Sequence, residues 1–208
     1  ASEHIAKLAA AGAGVCGSKE AGGPGLASAL RERLGSGGML AAGAAGGLLL
    51  AVCLAVFTWA LGIFARGAGE QEPGIDRGYE KFLRLGYAWL LVSGVMLAIF
   101  SVLAIRGADM NHALVGAYRH ALTVGFITTV MVGMASRIIP VFRGVPLYSA
   151  RMREWTFWML AAGNVIRVGF QSLSGVYGPA WLRGAGVSGV LELAALLLFG
   201  INLWKTLN

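Results

Sequence analysis

Five apolar runs, each close to the length that a lipid bilayer demands, divide most of this chain and constrain its fold more than any other feature. A transmembrane helix needs ~20 mostly apolar residues, because each residue adds about 1.5 Å across a hydrocarbon core about 30 Å thick. The runs are Met39 to Ala65, Leu85 to Ile105, His112 to Arg137, Trp155 to about Leu173, and Gly184 to about Leu203. Inside lipid, every backbone N–H and C=O must be bonded within the span, so such runs fold as helices. The expected fold is all-α: a polytopic transmembrane helical bundle of about five spans. Composition agrees, since 57% of the 208 residues are hydrophobic and only 13% are charged. A soluble domain of this size could not cover its surface with so few charges.

The connections carry turn chemistry: "RGAGEQEPGIDRG", "RGADMN", "PVFRGVPLYSARMRE" and "SGVYGPAWLRG". Asn111 is placed to cap the third span and Pro140 to stop it. Residues 1–37 read as an extramembrane Gly/Ala-rich amino-terminal segment, with Leu26 to Leu34 as a short interfacial helix and the rest irregular. Lys7 interrupts its first apolar stretch, which argues against an intact signal peptide. Residues 38–208 read as the five-span domain.

The formal charge is +7. Arg and Lys gather in the loops, with Arg66, Arg77, Lys81, Arg84, Arg143, Arg151 and Arg153 on one side and Arg106 and Arg183 on the other. The positive-inside rule puts the first group in the cytoplasm and the amino terminus outside. Aromatic residues near the span ends, among them Tyr87, Tyr148, Trp155, Trp158, Tyr177, Trp181 and Trp204, suit the membrane interfaces. No basic run has the length or aromatic interleaving of a nucleic-acid site. The expected partners are the lipid bilayer and other membrane subunits, with no nucleic acid.

Charges inside the spans point to a site. His120 lies eight residues into the third span, roughly 12 Å deep. Counted from the same membrane face, Arg167 on the fourth span is roughly 9 Å deep and Glu192 on the fifth roughly 12 Å deep. Asn164, Arg167 and Gln171 are three and four residues apart, so they form one polar stripe. A charge at such depth turns to the bundle interior and pairs. Arg167 with Glu192 is the expected ion pair. That pair either locks two helices together or leaves Arg167 also facing an anion, such as a haem propionate or an oxyanion.

His120 admits three readings: a hydrogen bond to a neighbouring helix, a neutral nitrogen ligand to haem or another metal, and a proton relay. His112 stands eight residues earlier, about 80° round the helix and roughly 12 Å along it, so the two cannot be opposed ligands of one iron. Beyond them only His4 remains, so a haem here is five-coordinate, takes Met, or borrows a ligand from another subunit.

On the same span Ala117, Ala121, Gly125, Thr129 and Gly133 recur every four residues and lead to Arg137, a small-residue ridge for close helix packing. Arg137 is expected to snorkel to the nearby surface. Cys16 and Cys53 form no motif, and Cys53 reads as a small packing residue. "GAGAGVCGS" lacks the ending of a phosphate loop, and no HExxH, nucleophile elbow or carboxylate dyad is present. Glu70, Glu72, Asp76 and Asp109 fall in loops. Independent catalysis is not indicated.

"RHALTVGF" and "GMASRIIPVF" with the following "RG" resemble the NnrS family, polytopic haem- and copper-associated membrane proteins linked to nitric-oxide metabolism. The resemblance equates His120 with that family's helix histidine, and Arg137 with Pro140 with its exit motif. His112 is a further candidate beside them. It implies haem b, with copper as an alternative, and a place in the bacterial inner (cytoplasmic) membrane. It also implies a half-length relative or one subunit of an assembly, since family members are usually twice as long. The functional expectation is a haem- or metal-associated subunit of respiratory or nitrogen-oxide metabolism. Its roles are His120 as metal ligand, Arg167 as partner of a propionate and Glu192 as counter-charge. The rival expectation is a cofactor-free structural or assembly subunit of a larger membrane complex.

Overall fold

A computed structural model describes residues 26–65, 78–106 and 111–208. His4, Cys16, Glu70, Glu72, Asp76 and Asp109 lie outside those residues, as do most of the expected extramembrane segment and the cations Arg66 and Arg77. The chain divides into two units, Ala1–Met39 and Leu40–Asn208. In the first, residues 26–39 are helical, interrupted at Gly35, whose φ of 66° and ψ of 176° are not helical.

The described elements are all helical, as expected. They are α1 (Leu26–Ala60), α2 (Glu80–Ile105), α3 (His112–Arg143), α4 (Ala150–Tyr177) and α5 (Leu182–Leu207), the last preceded by a 3-10 turn at Pro179–Trp181. Four stretches are long and apolar enough to cross a membrane: Ala41–Ala60, α2, α3 and Pro179–Leu207. Helix α4 has the length, 28 residues, but carries Arg151, Arg153, Glu154, Asn164, Arg167 and Gln171. It tolerates them because it packs against α3 on one side and along α5 on another, so its polar face meets protein.

Burial is inverted relative to a soluble protein. Phe57, Trp59, Met131, Phe142 and Val190 are exposed, while Thr58, Ser93, Thr129, Thr156 and Ser188 are buried. Lipid does not penalise an exposed apolar side chain, so the interior is free to be small and polar where helices touch. Most of these hydroxyls donate to a carbonyl of their own helix, as Thr58 does to Leu54, Thr156 to Met152 and Ser188 to Ala185. None then needs a partner in lipid. Cys53 is exposed on α1 instead of packing inside, which lipid also permits.

Two apolar clusters fix the bundle. Phe82, Val132, Leu160 and Ala195 join α2, α3, α4 and α5. Ala117, Ala121 and Val168 join α3 to α4, with Trp89 and Met96 of α2 packed against them.

Helix α3 is not uniform. His112–His120 is α-helical, Ala121–Thr128 is a π-helix, and Thr129–Arg143 is α-helical again. Threonine hydroxyls hold the wide turn: Thr128 Oγ1 donates to Thr123 O at 3.1 Å and Thr129 Oγ1 to Val124 O at 3.0 Å, each five residues back. The small-residue ridge follows from this shape. Residues spaced by four drift about 40° per step round a regular α-helix. A π turn holds more residues and slows that drift. All five ridge residues are buried. A Cβ at Gly116 would strike Gln171 of α4, one at Gly125 would strike both Trp89 of α2 and Asn164 of α4, and one at Gly133 would strike Phe82 of α2. The close approach thus passes from α4 to α2 along the helix.

The ends of α3 are set by local chemistry. Asn111 caps the start, its Oδ1 accepting from Ala113 N at 2.9 Å while its Nδ2 donates to Gly175 O at 2.8 Å. Pro140 does not stop the helix: it is buried inside it, and α3 runs on to Arg143. Gly144, in the left-handed region at φ 64°, ends it, with Gly144 N donating to Val141 O and Val145 N to Pro140 O at 3.1 Å each. That is a Schellman closure, which a glycine makes without a Cβ penalty.

Candidate functional site

His120 is the last residue of the regular turn before the π segment. Its Nε2 lies 2.8 Å from Oε1 of Glu192 on α5, and the two side chains are 18% and 13% exposed. A contact of that length needs one proton between the two atoms. In the neutral tautomer with Nε2–H donating to the carboxylate, Nδ1 keeps its lone pair, and Nδ1 makes no hydrogen bond among the described residues.

Gly163 makes the pair possible. Helix α4 runs beside the contact, and a Cβ at position 163 would stand 2.9 Å from Glu192 Cγ and 3.5 Å from Oε1. Only a residue without a side chain lets the carboxylate pass α4 and reach α3. The sequence reading missed Gly163, because a glycine in an apolar run reads equally well as packing or as nothing. It missed the π segment for a related reason, since "TT" at 128–129 has many uses in a helix.

The expected Arg167–Glu192 ion pair does not form. Glu192 is engaged by His120, and Arg167 Nη1 donates to Ala185 O at 3.2 Å. Ala185 precedes Glu192 by seven residues, about two turns or roughly 10 Å along α5. The residue of α4 level with Glu192 is Gly163, so Arg167 sits a turn too far along its helix. The shared depth was sufficient for His120 and Glu192 and not for Arg167.

The polar stripe of α4 carries unsatisfied atoms. Asn164 is 1% exposed and its Oδ1 has no hydrogen-bond partner. Arg167 Nε and Gln171 Oε1 are also buried without partners. A buried polar atom left alone costs about 1–3 kcal/mol, so three on one stripe are a feature to explain. Gln171 lies against Gly116 and Asn164 against Gly125, which places the stripe along the face of α3 that carries His120's turn.

His112 is not part of the cluster. It is the exposed first residue of α3, at the helix end that Asn111 caps. Arg137 and Pro140 also lie elsewhere, toward the other end of α3, where the Arg137 guanidinium stacks 4.6 Å from the Tyr79 ring centroid instead of reaching freely to the surface. Among the described residues no group of three or more His, Cys, Asp or Glu side chains converges. The arrangement supplies one carboxylate-backed imidazole, a guanidinium with a spare donor and two amide oxygens with spare lone pairs.

These polar atoms are buried in a bundle whose helices expose apolar side chains. No curated protein and no solved structure matches the chain. The family model described as NnrS protein matches residues 25–208. With four apolar spans and that match over most of its length, the chain is an integral membrane protein and belongs to the NnrS family.

Proposed function

We propose that this chain is a haem- or metal-associated membrane subunit of nitrogen-oxide metabolism, in which His120 is the ligand and Glu192 orients it. One observation carries the reading: the imidazole–carboxylate contact at 2.8 Å inside the bundle. Histidines that ligate metals commonly donate their other ring N–H to a carboxylate, which fixes the tautomer and raises the basicity of the free nitrogen. In the neutral tautomer that free nitrogen is Nδ1, and this donor chemistry would suit one nitrogen ligand to haem b or to copper. Other coordination positions are open to Met or to a second membrane subunit. Arg167, with an unpartnered buried Nε, suits a propionate or another anion. The bound metal would supply nitric-oxide binding or one-electron chemistry. The chain's own residues hold the imidazole, exclude water and neutralise charge. The same reading puts the chain in a bacterial inner membrane with its amino terminus outside, supported by Lys81, Arg84, Arg143, Arg151 and Arg153 at the opposite helix ends.

A second reading has its own support. The His120–Glu192 contact already joins α3 to α5, as a cofactor-free structural or assembly subunit requires. Pyridine haemochrome and metal analysis of the purified chain separate the two. The first reading expects a bound haem or copper that His120→Ala removes and that Glu192→Gln weakens by roughly 10–100-fold. A wild-type chain free of both, or a spectrum indifferent to His120→Ala, leaves the structural reading standing.

A further inference from the structure

We propose a second site, at the far end of α3 from His120, that binds a phosphate-bearing anion. A cavity of about 350 Å³ opens there between Tyr79, at the start of α2, Ser136, Arg137 and Pro140 of α3, Leu147 of the following loop and Arg153 of α4. His120 and Arg137 are separated by roughly 25 Å of helix, so this site is distinct from the His120–Glu192 pair. It also stands independently of the haem reading.

Arg137 gives the site its chemistry. The Tyr79 ring holds its guanidinium at 4.6 Å, and the side chain forms no hydrogen bond or ion pair among the described residues. Stacking uses the face of the guanidinium and leaves its in-plane N–H donors for a ligand, the geometry that suits phosphate oxygens. Arg153, 8% exposed, brings a second guanidinium to the wall. Among the described residues, Glu154 beside Arg153 on α4 pairs with Lys81. Apart from Tyr79 and Ser136, whose hydroxyl donates to Val132 O, the remaining wall, Pro140 and Leu147 included, is apolar. The in-plane donors of Arg137 above apolar side chains at a helix end match an anionic phospholipid headgroup with its glycerol and first methylenes. The volume fits such a group. The wall is firm, because the loop holding Leu147 is tied to α5 at Tyr148 and Ser149. This gives Arg137 and Pro140 a joint role: the proline keeps the helix wall apolar where the arginine points its donors.

The test uses the full chain in phosphatidylcholine nanodiscs. Thermal unfolding is followed with rising phosphatidylglycerol or with inorganic phosphate in the buffer, and retained lipid is counted by native mass spectrometry. Phosphatidylglycerol is expected to raise the unfolding midpoint and to remain bound, and Arg137→Gln to weaken the apparent affinity on the order of tenfold or more. Arg183→Gln, the same charge change at the opposite end, leaves it unaltered. A response to inorganic phosphate without one to phosphatidylglycerol assigns Arg137 to a soluble phosphate. A wild-type chain that responds alike to both lipids and ignores phosphate overturns the proposal without recourse to any variant. Equal losses in Arg137→Gln and Arg183→Gln overturn it too, since they report bulk charge.

Discussion

The loop after α3 and the turn around His120 are both polar regions within an apolar bundle, yet one is closed and the other open. In the loop the polar groups find partners on α5. Ser149 N donates to Asn202 Oδ1 and Asn202 Nδ2 donates back to Ser149 O, both at 3.0 Å. Tyr148 N donates to Thr206 Oγ1 at 3.0 Å, and Arg143 Nη2 to Leu207 O at 3.2 Å. Where α4 lines α3 near His120, one strong contact is accompanied along the α4 stripe by three buried atoms with no partner. A closed network holds elements together, and nothing further is needed to explain it. An open one leaves donors and acceptors for something else, at a cost in stability that packing elsewhere offsets.

The contrast is easiest to break at Asn202, which is 3% exposed. Asn202→Ala leaves Ser149 N unpaired and removes one of the two donors to Ser149 O, the other being Arg153 N, and a loss of about 2–4 kcal/mol is expected in equilibrium unfolding from mixed micelles. A loss under about 1 kcal/mol shows that the loop is held by other means. Next is Gly163→Ala, with an expected cost of about 1–3 kcal/mol from overpacking. Its signature is the separation of His120 from Glu192, read as a change in the ring ¹⁵N shifts of His120. Gly169→Ala is the matched control, because nothing lies within 4 Å of a Cβ there, and it should leave those shifts alone. The smallest effect sharpens the comparison most. Asn164→Leu removes an amide whose oxygen is unpartnered and is expected to change stability by less than about 1 kcal/mol in either direction. A loss above about 2 kcal/mol means that Oδ1 has a partner in the membrane, such as a bound group.

Much of this architecture is legible in the chain itself. The helices are written in the lengths of the apolar runs, the Asn111 cap in its position before His112, and the ridge in the four-residue spacing from Ala117 to Gly133. The Pro140 stop was misread because a proline inside a helix is disfavoured but not forbidden, and the next left-handed position belongs to Gly144. The Arg167–Glu192 pair was misread because opposite charges at similar depth were treated as neighbours. Depth is one coordinate of three.

Sequence alone determined the membrane class, the helical content and the depth at which His120 and Glu192 lie, because rise per residue and the aversion of lipid to unbonded backbone act locally. Tertiary structure decided which charge met which. That choice depends on how far each helix is rotated about its axis and on what stands between. A π turn after His120 and a missing side chain at Gly163 set both, and neither has meaning until the helices are packed.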